Sequence, residues 1–337
     1  MSLADRLVAR FRDSEPPALD FVSRRCLRSR LQSNACARCI EECPAQAISP
    51  EPGGVRLDPK RCVGCLACTA VCPAEALVGK DQRLSAWPAK AAGQAALRFC
   101  CEKALVSGEE IVLPCLGVLA EEQLAALAVS TTRGVRLSLI KCGTCRAASV
   151  REILAKRLAN LEGRLGGGEI TAPLRLLLEE EEGGALAESA SRRAFFKAFR
   201  EISFHAATET MATIKADPKA REQHAHKHSP ARLSQLRQAI TGSGDPEIRQ
   251  ALLRLFFTLT VSDECNFCGG CAGMCPTGAL KNTSEDEVKR LKFDWAKCSG
   301  CGLCLEFCRK KALTLNPGRG VEALATELEV LLEMVVE

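Results

Sequence analysis

The hydrophobic pattern changes character twice along this chain, and the changes mark its parts. In residues 95–180, short apolar runs alternate with stretches of helical spacing. Leu97 to Phe99, Ile111 to Leu113, Val135 to Ile140 and Ile170 to Leu178 read as strands, while Glu121 to Ser130 and Ala147 to Leu161 read as helices. Such alternation predicts a small α/β domain with a parallel sheet, whose functional groups gather at the carboxyl ends of its strands. Residues 181–259 carry helical patterns broken by Gly183-Gly184, Asp217-Pro218, Ser229-Pro230 and the loop TGSGDP, which predicts a helical connector. A helix is also expected over residues 1–21, and an amphipathic one over residues 317–337, where Val321 to Val336 has helical spacing. The longest apolar run, Ile111 to Ala120, is about half the length a membrane-spanning helix needs, so no span is expected.

The flanks, residues 22–80 and 260–316, follow a different rule. CPAQAI (43–48), CPAEAL (72–77), CPTGAL (275–280) and CRKKAL (308–313) are four copies of one unit, in which a cysteine leads into a short helical turn ending on a buried Ala-Leu or Ala-Ile pair. VRLDPKRCVGC and LKFDWAKCSGC are two copies of a strand and loop, with Asp58 and Asp294 each four residues before a cysteine. The overall expectation is an α+β modular chain: two repeated modules flank the α/β domain and its helical connector.

Cysteine supplies the chemistry. There are 21 in 337 residues, bunched at two- and three-residue gaps, and bunched thiols in an unexported chain read as metal ligands, not as a disulfide scaffold. No CxxC is followed by His, which excludes covalent c-type haem attachment. CNFCGGCAGMCP and CSGCGLCLEFC carry the CxxCxxCxxxC spacing and resemble bacterial ferredoxins with two 4Fe-4S clusters. In that arrangement three close thiolates hold one cube and the fourth reaches the other. The resemblance implies one cluster on Cys265, Cys268, Cys271 and Cys308, and a second on Cys298, Cys301, Cys304 and Cys275. Gly269, Gly270, Gly300 and Gly302 would let backbone N–H groups approach the cluster sulfurs. Arg309 stands where the ferredoxin pattern has proline, which leaves ligation intact and adds positive charge.

The N-terminal module repeats the pattern with one departure. Cys62, Cys65, Cys68 and Cys72 form a complete run, but the run before it reads SNACARCIEECP, with Ser33 in the first cysteine's place. Cys26 lies upstream among arginines and is expected to loop back. One cluster would then use Cys26, Cys36, Cys39 and Cys72, and the other Cys62, Cys65, Cys68 and Cys43. A three-iron cluster, a Ser33 oxygen ligand or an unfilled site are the alternatives at the first position.

The middle cysteines each follow an expected strand: Cys100 and Cys101, Cys115, then Cys142 and Cys145. RFCCEK, VLPCLG and KCGTC, in that order within a small α/β domain, resemble the iron–sulfur (delta) subunit of methyl-viologen-type hydrogenases, which passes electrons to heterodisulfide-reductase-like partners. The resemblance implies a 2Fe-2S cluster on Cys101 (or Cys100), Cys115, Cys142 and Cys145, although CGTC is one residue shorter than the loop usual there. Tetrathiolate zinc, a redox-active dithiol and plain buried cysteines are the other readings.

Charge then changes meaning. The formal +5 becomes about −5 once four cubes and one smaller cluster are counted at about two negative charges each. Arg24, Arg25, Arg28 and Arg30 around Cys26, and Lys310 and Lys311 beside Cys308, fall where anionic clusters need neutralising or an acidic partner would dock. A nucleic-acid surface would need basic residues beyond that demand. No nucleotide-binding glycine fingerprint, phosphate loop or Ser-His-Asp pattern marks a small-molecule substrate site, and fully ligated clusters leave no open position for one. SRRAFFK (191–197) matches a twin-arginine export motif but lies deep in the chain, and HAHKH (224–228) reads as a solvated polar run. Charges at Asp5, Asp13 and Glu15 argue against a secretory leader, so the expected location is the cytoplasm. The expected function is single-electron relay between redox enzymes: a hydrogenase, a formate dehydrogenase or a heterodisulfide-reductase-like complex. The alternatives are a ferredoxin-linked thiol-disulfide reductase working through Cys142 and Cys145, and an accessory protein that assembles a redox enzyme.

Overall fold

A computed structural model describes residues 19–104, 109–179, 225–285, 287–326 and 328–335. The four expected strands of the middle segment form one parallel sheet in the order Ile111–Leu113, Leu97–Cys101, Val135–Ser138, Leu174–Leu177. The strand from Leu97 runs two residues further than the apolar run indicates, so Cys100 and Cys101 lie within it, not after it. Glu121–Ser130 is helical over the expected residues. The second helix is Val150–Leu165, and it stops at Gly166, whose φ of 86° is a left-handed cap that only glycine adopts freely. Phe99, Leu113, Leu137, Leu124 and Leu154 are fully buried between sheet and helices, and Trp87 meets Phe99 edge-on at 5.5 Å.

Each flanking module is built from two antiparallel strand pairs. In the first, Leu19–Phe21 pairs with Leu77–Gly79 around the hairpin Ile48–Glu51/Gly54–Leu57. In the second, Phe257–Val261 pairs with Leu313–Pro317 around the hairpin Leu280–Glu285/Val288–Phe293. The repeat extends to single hydrogen bonds: Asp58 N–H donates to the Ala47 carbonyl at 2.8 Å, and Asp294 N–H to the Ala279 carbonyl at 2.7 Å.

The repeated CPxxA unit differs from the helical turn expected of it. The short helices come before the last cysteine of each run: Arg38–Glu41, Ala67–Val71, Gly270–Met274 and Leu303–Phe307. After that cysteine the chain reverses through a left-handed residue, Gln46, Glu75, Gly278 or Lys311, with φ between 47° and 72°. A helical turn would carry the chain onward along its axis. The reversal instead drops Ala47-Ile48, Ala76-Leu77, Ala279-Leu280 and Ala312-Leu313 into the module cores, and all eight residues are buried.

Two expected terminal helices need correction or fall outside view. Residues 1–18 lie outside the described residues, and Leu19–Phe21 is a strand. The amphipathic helix expected over 317–337 does not form. Val321–Ala325 makes a short 3-10 turn, and Glu329–Val335 is a strand antiparallel to Val288–Phe293. The hairpin edge offers this segment a row of backbone partners that its own apolar spacing could not foretell, and Glu333 lands opposite Arg290, Oε1 to Nε 2.6 Å.

Of the connector, residues 180–224 are outside the described set, and SRRAFFK with them. The remainder holds the helices Ala231–Gly242 and Pro246–Leu253. Asp245 caps the second by accepting N–H bonds from Glu247 and Ile248. Leu233, Leu236 and Ile240 bury one face of the first helix, and its Gln235 accepts a bond from Gln123 of Glu121–Ser130 at 3.0 Å. No helix among the described residues is long and apolar enough to cross a membrane.

Candidate metal centres

No disulfide joins any of the 21 cysteines. In the N-terminal module the fold gathers them as two sets. Cys39 feels the charges of Cys72, Cys36 and Cys26; burial, reinforced by these three, pushes its thiol up to about 12. The upstream Cys26 therefore stands with the incomplete run. Cys68 is raised by burial first and then by Cys65, Cys39, Cys43 and Cys62, which defines the second set and places the two sets side by side.

The backbone explains why the first run needs outside help. In the three complete runs, two residues between the ligands adopt left-handed conformations: Gly64 and Leu66, Phe267 and Gly269, Gly300 and Gly302. Positive φ turns successive N–H groups inward to make an anion nest. The first run has no such pair: Ala37 sits at φ −122°, and the Asn34 side chain accepts the Cys36 N–H at 3.1 Å instead. Ser33 points away, its hydroxyl donating to Glu306 at 3.5 Å. Of the glycines singled out in the sequence, Gly270 plays a different part, since a Cβ there would lie 2.3 Å from Phe307.

In the C-terminal module Cys271 lies with Cys265, Cys268 and Cys308, and burial pushes it up to about 11. Cys298, Cys301 and Cys304 surround Cys275. Burial raises all three, Cys298 to about 12 and Cys301 to about 11. Cys304 also feels Cys271, so these two sets are neighbours as well.

Two cavities coincide with two of these sets. One is lined by Cys275, Cys298, Cys301 and Cys304 with Leu259 and Phe293; the other is lined by Cys43, Cys62, Cys65 and Cys68 with Leu19 and Ile48. Sulfur-directed donors are already in place: Ala47 N–H to Cys43 Sγ at 3.3 Å, and Ala76 N–H to Cys72 Sγ at 3.1 Å. Among the described residues no three Cys, His, Asp or Glu side chains converge tightly enough for a single metal ion. Thiols ringed around a volume, with amide donors aimed at sulfur, fit an inorganic cube, whose iron would supply the positive charge that deprotonates them.

In the central domain, Cys101 ends its strand, Cys115 follows Ile111–Leu113, and after Val135–Ser138 Cys142 lies within the turn Ile140–Thr144, which Cys145 ends. Cys115 is pushed up to about 12 by burial, and the charges of Cys65, Cys142 and Cys101 reach it. Cys142 is raised by burial and then by Cys101 and Cys145. Lys103 Nζ lies 3.5 Å from Cys145 Sγ, and Arg151 holds the CGTC turn by donating to the Leu139 and Ile140 carbonyls. Cys100 is fully buried and its charged neighbours are Glu110, Cys101 and Arg98, whereas Cys101 acts on both Cys115 and Cys142.

The arginines around Cys26 divide their work. Arg25 donates to the Glu75 carbonyl at 3.2 Å, Arg28 to the Cys36 carbonyl at 3.4 Å, and Arg30 reaches the C-terminal module. Sequence reasoning missed residues 226–228, taken as a solvated run. His224 is outside the described residues, but Lys227 Nζ donates to the Ala272, Gly273 and Cys275 carbonyls at 2.6–2.9 Å, and His228 meets Glu75 at 2.8 Å. Only their alternation with polar neighbours was visible in the sequence, and that carries no sign of a carbonyl trap.

Burial raises the Glu75 carboxyl, but the His228 bond and the Arg232 charge outweigh it and leave the net shift downward. A lowered folded value means that the contribution is complete above the ordinary carboxylate value, about 4.3, and is lost as pH falls through the folded one. Glu75→Gln is expected to cost about 1–2 kcal/mol at pH ~7 in denaturant unfolding, and progressively less below pH ~4.

Residues 33–76 and residues 259–309 each match a 4Fe-4S dicluster domain. The chain is similar to the polyferredoxin protein MvhB of Methanothermobacter marburgensis, 38% identical over 16% of this chain and 16% of that protein. It is similar to pyruvate synthase subunit PorD of Methanocaldococcus jannaschii, 34% identical over 18% of this chain and 67% of the subunit. With PorD of M. marburgensis the identity is 32% over 19% of this chain and 69% of the subunit. The matched part thus spans about a sixth of the polyferredoxin's length and about two thirds of each PorD. No solved structure matches the chain.

Proposed function

Because the chain belongs to the 4Fe-4S dicluster ferredoxins, we propose that it relays single electrons between redox enzymes through four cubes and one smaller centre. The ligand sets are Cys26, Cys36, Cys39 and Cys72; Cys43, Cys62, Cys65 and Cys68; Cys265, Cys268, Cys271 and Cys308; and Cys275, Cys298, Cys301 and Cys304. The observation that carries this is the crossing of the last cysteine of each run into its neighbour's set, including Cys72 with the set of Cys26. A bound cube takes up or releases one electron with no bond made or broken. The protein's own part is to hold the thiolates, keep water from them and aim amide donors at sulfur.

The smaller centre is assigned to Cys101, Cys115, Cys142 and Cys145 as a 2Fe-2S cluster, in keeping with the likeness to the hydrogenase delta subunit. A dithiol reductase would keep Cys142 and Cys145 free and reactive toward alkylation in the iron-loaded protein, whereas cluster ligands would be protected until the metal is lost. Partners of the hydrogenase, formate dehydrogenase or heterodisulfide-reductase type, in a reducing cytoplasm, suit such a relay.

Anoxic iron and sulfide analysis with spin-resonance spectra of the reduced chain tests the reading. The expected result is iron for four cubes and one smaller centre, with the smaller signal alone abolished by Cys142→Ser. Colourless, iron-free protein with freely titrating thiols would refute it.

A further inference from the structure

Packing links the five proposed cysteine sets one to the next. Cys115 sits against Cys65 so closely that a Cβ on Gly117 would lie 2.4 Å from the Cys65 carbonyl oxygen. Cys39 and Cys68 share one apolar cluster with Leu66 and Ile48. Cys36 and Cys301 share another, formed by Leu27, Ala74, Met274 and Leu303, two residues from each module. Cys304 lies beside Cys271, and at the far end Cys268 is exposed. The apolar cluster on which both Cys36 and Cys301 pack is thus the joint between two dicluster units that are separated by more than 180 residues in the chain.

That joint is built around a buried cation. Arg30, 4% exposed, lies on the turn that Cys26 begins, and its guanidinium donates across the modules: to the Arg24 and His226 carbonyls at 2.8 and 3.2 Å on one side, and to the Met274 and Gly273 carbonyls at 3.0 and 3.3 Å on the other. Its charge is felt at Cys275 and Cys301. Arg38, exposed on the helix that carries Cys39, also acts on Cys301. Lys227 on the Cys275 carbonyl and His228 on Glu75 strap the same seam.

We propose that the two modules conduct as one path through the Cys36–Cys301 joint, and that Arg30 is the positioning residue that holds it and makes its two flanking cubes the preferred seats for electrons. The inference rests on the four-cube reading. Each hop oxidises one cube by one electron and reduces its neighbour by one, with no proton or bond moved. Uptake adds one negative charge, which a guanidinium shielded from water attracts strongly at short range.

The test is a potentiometric titration of the whole chain, purified anoxically and reduced with dithionite, followed by spin resonance. In the wild type the first two electrons are expected on cubes whose spins interact. Arg30→Met should lower the electron affinity of those two cubes about tenfold each, about 59 mV for a one-electron step, with the other two cubes and the iron content unchanged. Arg38→Gln, at a surface position, should shift the same pair in the same direction by less. If Arg30→Met loads poorly, Arg38→Gln decides. Full iron with no shift in either variant, an equal shift of all four cubes, or isolated spins after two electrons would overturn the proposal. A wild-type chain short of a cube overturns the underlying reading instead, and the iron count tells the two failures apart.

Discussion

Cys26→Ser protein, prepared without oxygen, is expected to lose one cube's share of iron and keep the other three. Cys26 stands with Cys36, Cys39 and Cys72, and no other described thiol is gathered there to replace it. A serine hydroxyl is a hard, weakly acidic donor and a poor exchange for thiolate at iron. Ser33→Cys in the same background is expected not to restore the cube. Ser33 is directed toward Glu306, and its run lacks the paired left-handed residues that fold the other runs around a cluster. Iron per chain and the integrated reduced-state spectrum check both statements. Undiminished iron in Cys26→Ser, or recovery in the double variant, would assign the fourth position to Ser33's segment.

The second large effect is expected at Arg157, a 4% exposed residue in the middle of helix Val150–Leu165. Its guanidinium donates to the Gly117 and Leu119 carbonyls at 2.7 and 2.8 Å, and crosses to the N-terminal module at Ala67 O, 3.1 Å, and Glu42 Oε1, 2.6 Å. Arg157→Met removes every one of these donors and leaves Glu42 beside carbonyls with no cation. A loss of about 3–5 kcal/mol is expected in anoxic denaturant unfolding, with Glu42→Gln in the same chain recovering part of it. A loss below about 1 kcal/mol would show that the central sheet and the N-terminal module are held together by other contacts. Because Gly117, one of this arginine's carbonyl partners, lies two residues from Cys115, the variant should also broaden the spectrum of the smaller centre.

How far such features were legible in the sequence varies with how local they are. The helix Glu121–Ser130 and the strand Ile111–Leu113 appear over the residues their apolar spacing marks, because side chains three, four or two apart decide which face is buried. The C-terminal segment failed the same test. Val321 to Val336 has helical spacing, yet Glu329–Val335 completes a sheet, since the hairpin edge it joins is supplied by residues 280–293. The HAHKH segment failed for a similar reason: the carbonyls that hold Lys227 belong to a helix that begins more than 40 residues later.

The candidate centres divide along the same line. The proposed ligands of the complete runs follow from spacing alone, because a CxxCxxC loop is short enough to close around one cube wherever it stands. The proposed grouping of Cys26 with its run, the proposed choice of Cys101 over Cys100, and the packing of Cys36 and Cys301 on one apolar cluster depend on which strand face, turn and module lie beside each thiol. Ligand type is a property of residues a few positions apart, and the chain carries it before folding. The order of the centres is a property of surfaces packed across the whole chain, and only the folded protein holds it.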